Sequence, residues 1–485
     1  MYIEMIMLRS RGVIDMLEVI FTNDKPQNVV KVIAMFEGQE TAIDFLTANE
    51  IKLVESAILQ SGFEGKANQV CVVYGAREKI ILFGLGKKND ILAIRDAGQF
   101  LFENLFDVEC AYIATESEDI ALNLAYGVLL GSYSFDKYKT EKKAEEYTKL
   151  ERIILRVENE KEATEYFKPY VAMVNGVRYC KDLCNEPASY LTPEVFASDI
   201  KRLTYLGLDI DVLDSEQIRL NGLGLIDAVG KGSDNKPYVV VMRWIGNRDK
   251  KDYDLGLIGK GVCFDAGGLS LKSNQGMIEM KMDMAGAAAV VASMKVAALQ
   301  RVRKNLVAVV GLVENIPSAT AMKIGDVYTS FKGKTVEVVN ADAEGRLVVA
   351  DCLSYLQNNY KVSRLVDIAT FGSLKTTLGN VYAAVFSNDE KLVEDLIEAG
   401  NLSGEKLWQM PLDSRYKKML SSKIADLKNL PVGESASVAS SAFLQEFIEK
   451  DTKWAHTDMS GLRLDKDGLA SGFGVKLLNE LIKGL

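Results

Sequence analysis

Asp342, Glu344 and Arg346 alternate along Asn340-Ala341-Asp342-Ala343-Glu344-Gly345-Arg346-Leu347. An apolar, β-prone run from Thr335 to Val339 leads in, and a helix-like run from Leu347 to Leu356 leads out. Two carboxylates and a guanidinium therefore stand at a strand-to-helix junction. Open α/β folds gather ligands at the carboxyl ends of strands, and a helix N-terminus welcomes an anion. Two apart, Asp342 and Glu344 share a face if the chain is extended. Converging acids are costly unless something positive neutralises them. A metal ion is the natural candidate.

More charge lies upstream. The stretch Ile258 to Lys272 carries Lys260, Asp265 and Lys272 after a strand, among glycines that let backbone come close. Met280-Lys281-Met282-Asp283-Met284 then opens a helix of small residues from Ala285, with Asp283 expected in its first turn. Each residue alone has an ordinary reading. Lys260 could be a snorkelling surface lysine, Asp265 a turn acid and Asp283 an N-cap. Asp342 and Glu344 could be a solvated loop, Lys272 and Arg346 surface charges. What points to a site is their joint position where strands end.

Composition narrows the chemistry. The only histidine among 485 residues is His456. That excludes His-rich zinc sites, two-histidine metal helices and the usual Ser-His-Asp or Cys-His arrangements, unless His456 carries them alone. A metal site here must be built from carboxylates, with perhaps an unusual nitrogen donor. None of the six cysteines has zinc-finger spacing, and Cys180 with Cys184 fits one helix face as buried thiols. A reducing cytosol is the expected compartment. A net charge of −9 argues against a general nucleic-acid-binding surface. Charges at Glu4, Arg9, Arg11 and Asp15 break any signal-peptide pattern. No run of about 20 apolar residues predicts a membrane span.

The elements that must hold these residues alternate. Val29 to Phe36, Gln69 to Val73, Lys79 to Phe83 and Cys110 to Ala114 read as strands, and Ile91 to Asn104 and Ile120 to Gly131 as helices. Gly84-Leu85-Gly86-Lys87-Lys88 lacks the spacing of a phosphate loop and reads as a plain turn. A charged, apolar-poor stretch around residues 140–164 precedes a helix from about Ala163 to Cys184. Thr192-Pro193-Glu194 suits a helix start. Tyr238 to Trp244, Tyr253 to Gly259, Leu306 to Leu312 and Arg364 to Thr370 read as further strands. Helices between them predict a parallel or mixed sheet covered on both sides.

Three stretches together resemble a known family. Gly-Lys-Gly-Val-x-Phe-Asp-x-Gly-Gly from Gly259, Lys-x-Asp-Met-x-Gly-Ala-Ala from Lys281 and Asn-x-Asp-Ala-Glu-Gly-Arg-Leu from Asn340 are similar to the signature of the leucyl aminopeptidases, the dimetal M17 peptidases. The segments Cys180 to Pro193, Trp454 to Asp458 and Gly472 to Val475 are similar too. The resemblance covers about residues 170 to 485 throughout and the N-terminal portion weakly.

The resemblance implies an α/β protein with a small N-terminal α/β domain (1–155), a linker helix (156–180) and a larger catalytic domain (181–485) with a twisted mixed β-sheet covered by helices. It implies metal-dependent hydrolysis of N-terminal amino acids from peptides, by a water shared between two zinc or manganese ions. Lys260, Asp265, Asp283, Asp342 and Glu344 occupy the ligand positions; Asp265 and Glu344 bridge. Lys272 and Arg346 occupy the catalytic positions, with bicarbonate at Arg346. Met280, Thr370, Phe371 and Ser373 line the substrate side. Phe371 and Ser373 depart from the family's leucine and glycine, which affects the preferred N-terminal residue. Ala341 stands for a threonine that is no ligand, and Gly433 to Ser437 replaces a glycine-richer loop. His456 takes a structural position. A cytoplasmic homohexamer is expected, with no membrane or nucleic-acid partner. Two rivals share the scaffold: a narrow Cys-Gly dipeptidase, and an added DNA-binding role, which salt-sensitive DNA binding would reveal. A two-metal phosphoryl-transfer enzyme fits the carboxylates but not a lysine ligand.

Overall fold

The computed structural model describes residues 17–26, 29–39, 44–75, 79–88, 90–141, 147–372, 374–431 and 436–485. Ser373, most of the 433–437 loop, part of the charged 140–164 stretch and the charges before residue 17 lie outside them. The chain divides into two compact units, Met1–Val174 and Asn175–Leu485, and the division falls inside the helix Glu160–Asn185.

In the first unit, β1 (Glu18–Thr22), β2 (Val30–Phe36), β3 (Val70–Tyr74), β4 (Lys79–Gly86), β5 (Cys110–Ala114) and β6 (Arg152–Arg156) form one sheet in the order β1-β6-β5-β2-β4-β3. Only β3 runs antiparallel to its neighbour. Ile33, Val54, Ile80, Leu82 and Tyr112 bury one face of it. The helix Ala48–Ser61 begins on a reciprocal cap between Thr47 and Glu50. The expected helix Ile91–Asn104 is found as read, and β4 runs on through Gly84 to Gly86, where the sequence suggested a turn.

The second unit is built on eight strands. These are β7 (Asp209–Leu213), β8 (Tyr238–Ile245), β9 (Leu255–Asp265), β10 (Asn305–Asn315), β13 (Arg364–Ala369), β14 (Ala383–Ser387), β15 (Leu407–Gln409) and β17 (Lys453–Asp458). Short β11 (Val327–Thr329), β12 (Thr335–Glu337) and β16 (Leu427–Lys428) make a separate small sheet. The large sheet runs β15-β14-β17-β13-β9-β10-β8-β7. Its centre, β17-β13-β9-β10, is parallel, and antiparallel β8 and β14 flank that centre. The mixed sheet expected from the alternation is therefore present. All eleven residues of β10 are buried, as a central strand covered on both faces requires.

Strand alternation divides the two covering helices. Gly259 faces the helix Ala285–Leu299, where a Cβ would stand 2.5 Å from Ala287 Cα. The next residue, Lys260, points to the other face, toward Gly345 at the start of the helix Gly345–Asn359. Small residues let the first of these helices lie on the sheet: a Cβ on Gly286 would be 2.2 Å from the Ile368 carbonyl oxygen. By composition the stretch Asn274–Leu299 is apolar enough to cross a membrane, which the sequence reading did not expect, but 94% of its most apolar window is buried inside the protein.

Candidate metal centre

The parallel strands place their carboxyl ends at one edge. β9 ends at Asp265, level with Asn315 of β10, and β13 ends at Ala369, level with Asp458 of β17. β9 is longer than expected. Pairing with β10 carries it through the glycine-rich stretch, across a bulge between Val313 and Glu314. Asp265 is thus fixed at a strand end rather than in a loose turn. Its Oδ1 accepts from the Gly267 N–H and from Asn315 Nδ2, both at 2.8 Å.

Two expectations about local structure need correction. Asp283 is not in the first turn of a helix. It ends a short 3-10 turn, Met280–Met282, and the helix starts two residues later at Ala285. Nor do Asp342 and Glu344 converge through an extended chain. β12 stops at Glu337, and residues 341–342 form a turn, with the Asp342 N–H donating to Asn340 Oδ1 at 2.8 Å. The turn is held by fully buried Asn429. Its Oδ1 accepts from the Val339 N–H at 2.9 Å, and its Nδ2 donates to the carbonyls of Asn340 and Ala343 at 2.7 and 3.3 Å. Nothing in the sequence around Asn429 signals that role. Asn315, a polar residue closing an apolar strand, did carry a signal.

The surface readings fail for Lys260, Glu344 and Arg346, which are buried together with Asp265 and Asp283, while Lys272 and Asp342 are half-buried. Lys260 Nζ lies 2.7 Å from Asp283 Oδ2 and 3.2 Å from Glu344 Oε1, and donates to the Thr370 carbonyl at 2.8 Å. Lys272 Nζ lies 2.8 Å from Asp265 Oδ2 and also pairs with Asp342. Thr370 Oγ1 donates to Asp283 Oδ1 at 2.7 Å. Asp265, Asp342 and Glu344 can bring one oxygen each within 4.8 Å of one another. Met280 and Phe371 are half-buried nearby in sequence to Asp283 and Thr370.

The electrostatics demand added positive charge. Burial, reinforced by Asp265, lifts the carboxyls of Glu344 and Asp283 well above their ordinary range, and Asp342 moves the same way. Burial alone would depress the Lys260 ammonium. Asp283, Glu344 and Asp265 outweigh it and hold the pKa above the usual lysine value. Lys272 shows the same balance, with Asp265 the main counterweight. For Arg346 burial outweighs the charges of Glu344 and Asp458 and pulls it down to about 10. Its Nε and Nη1, like Glu344 Oε2, are buried with no hydrogen-bond partner among the described residues.

Unpartnered carboxylate oxygen beside clustered acids fits divalent cations. Oxygen donors with one nitrogen suit manganese or zinc better than a soft metal. Lys260 is in reach as that nitrogen once its proton leaves.

The chain is similar to known proteins in sequence and fold. The model of the cytosol aminopeptidase family's catalytic domain matches residues 178–479, and that of its N-terminal domain matches residues 32–142. A probable cytosol aminopeptidase of Phytoplasma mali (strain AT) is 40% identical over 371 residues, covering 75% of this chain and 74% of that protein. One of Ehrlichia ruminantium (strain Gardel) is 37% identical over 478 residues, covering 94% and 95%. Among solved structures, a tomato leucine aminopeptidase mutant superposes with a TM-score of 0.87 at 27% identity, covering 97% of each chain. The bottromycin maturation enzyme BotP in complex with Mn gives 0.83 at 28% identity, covering 94% of this chain and 99% of that one.

Proposed function

This chain belongs to the cytosol aminopeptidase family, and from that premise we propose how its residues divide the work of a metal-dependent aminopeptidase. The reaction is hydrolytic removal of N-terminal residues from peptides. The observation that carries the assignment is the oxygen cluster of Asp265, Asp342 and Glu344, with Lys260 and Asp283 beside Glu344.

We assign two divalent cations, manganese or zinc, to Lys260, Asp265, Asp283, Asp342 and Glu344. Asp265, Glu344 and Asp342 would supply carboxylate oxygens, and Lys260 and Asp283 would complete the set beside Glu344. When bound, such cations polarise a carbonyl and acidify a water, and bicarbonate supplies a base. Lys260 serves as a neutral amine, having lost its proton. Lys272 keeps its charge and faces the oxyanion that develops on the substrate carbonyl. Arg346 offers the N–H edge that has no partner among the described residues to an oxyanion of bicarbonate size. Met280, Thr370 and Phe371 border the substrate's first side chain, and Ser373, outside the described residues, is assigned there from the sequence alone. Thr370 also holds Asp283 through its hydroxyl.

The relatives are probable cytosol aminopeptidases, which supports a cytoplasmic location, and we propose a homohexamer as the working assembly. Light scattering on the purified protein tests the assembly. The activity test is a panel of aminoacyl chromogenic substrates, with protein stripped by chelator and then supplied with zinc, manganese, cobalt or magnesium. Activity should vanish on stripping, return with metal and spare blocked N-termini. A folded, metal-loaded protein that cleaves only Cys-Gly would shift the reading to a narrow dipeptidase.

A further inference from the structure

Phe371 lies between the Arg346 and Lys260 side chains and the chain's single histidine. It follows the end of β13. Its N–H lies 3.3 Å from Asp458 Oδ1, and the next N–H, of Gly372, donates to Ser460 Oγ at 2.7 Å. The Phe371 ring stacks on His456 with centroids 4.9 Å apart at 23°. His456 stacks in turn on Phe386 at 6.0 Å and 29°. His456 Nδ1 shares a 2.5 Å hydrogen bond with Asp367 Oδ1, and Trp454 Nε1 donates to Asp367 Oδ2 at 2.6 Å. Asp367, Phe386, Trp454 and His456 are all fully buried, so the base of this column is fixed. At its upper end Arg346 Cζ and Lys260 Nζ each lie 5.8 Å from the Phe371 centroid.

A buried guanidinium ordinarily finds a carboxylate. Glu344 and Asp458 act on Arg346 through their charge, yet neither hydrogen-bonds its Nε or Nη1. An aromatic face attracts a cation through its quadrupole and takes up no N–H. A carboxylate partner would occupy the N–H groups that stay open here.

We propose that Phe371, seated on the His456–Asp367 pair, is the positioning residue that holds Arg346 with its N–H edge free for an oxyanion. The oxyanion clause rests on the reading of Arg346 given above; the pose of the side chain does not. Two measurements on the metal-loaded full chain test it together. One is the crystal structure of Phe371→Leu, with Phe371→Trp as the conservative rescue. The other is peptide hydrolysis in bicarbonate-free buffer with bicarbonate added back, for both variants, Arg346→Lys and the parent protein. Phe371→Leu should let Arg346 turn toward Glu344 or Asp458. It should also raise the bicarbonate needed for half-maximal activity by roughly 2- to 30-fold, read at saturating peptide because Phe371 also borders the substrate. Phe371→Trp should restore both. An Arg346 that keeps its pose in Phe371→Leu overturns the proposal, as does a moved Arg346 with the parent's bicarbonate response. If the parent and Arg346→Lys respond to bicarbonate alike, the oxyanion reading of Arg346 fails. The crystal structure alone then decides positioning: a moved Arg346 upholds it and an unmoved one overturns it.

Discussion

Gly345 stands so close to Lys260 that a Cβ there would lie 2.2 Å from Lys260 Cε and 2.6 Å from its Nζ. The atoms in the way belong to the far end of a flexible side chain, so the fold can absorb a methyl group by turning that chain aside. Gly345→Ala should keep the parent's circular dichroism spectrum while Lys260 leaves Asp283 and Glu344. Metal affinity, read by competition with a chromogenic chelator, should fall roughly 10- to 100-fold, as it does when a ligand loses its support. Parent-like affinity would mean that Lys260 is not a ligand.

Lys272 pairs with Asp265 and Asp342 but is assigned to the substrate oxyanion. Lys272→Ala should therefore lower kcat by about 100-fold or more. Metal content by atomic emission should stay at the parent's level. Full activity in that variant would remove the residue from the mechanism.

Asn429 is a clamp, not a site residue. Asn429→Ala strands the Val339 N–H and the carbonyls of Asn340 and Ala343 in a buried place. Each unsatisfied group costs about 1–3 kcal/mol. Both the melting temperature and the metal affinity should drop, because the freed turn carries Asp342. A loss of stability with unchanged metal affinity would show that the turn keeps its shape without the clamp.

Asp351 gives a pH signature away from the metal centre. It is fully buried and accepts from the N–H groups of Leu225, Ile226 and Phe331 at 2.8, 3.2 and 2.8 Å. Burial outweighs those donors and pushes its carboxyl up to about 7. The folded pKa thus lies above the unfolded value of about 3.9. Its contribution is fully present below that unfolded value and is lost as pH rises through about 7. Melting temperatures of Asp351→Asn and the parent, compared from acid to neutral pH, should converge toward neutrality, because the variant lacks this slope. Parallel curves would show that the three donors hold the ionised form after all.

The sequence by itself determined the ingredients. Lone His456 forced any metal site onto carboxylates, glycines flanked Lys260 and Asp265, and β-branched runs such as β10 announced a covered sheet. Three stretches of side chains were enough to indicate the chemistry. What lay beyond them was decided by tertiary structure, because it depends on contacts between residues distant along the chain. Pairing with β10 carried β9 as far as Asp265, where local glycines had suggested a loop. A turn clamped by Asn429, some 90 residues away, brought Asp342 to Glu344 where an extended strand was expected. Phe371 came to sit between Arg346 and His456 only because β13 and β17 are neighbours in the sheet. Residue types fix which charges are present; burial and the packing of distant strands fix which of them find partners and which are left open for a ligand.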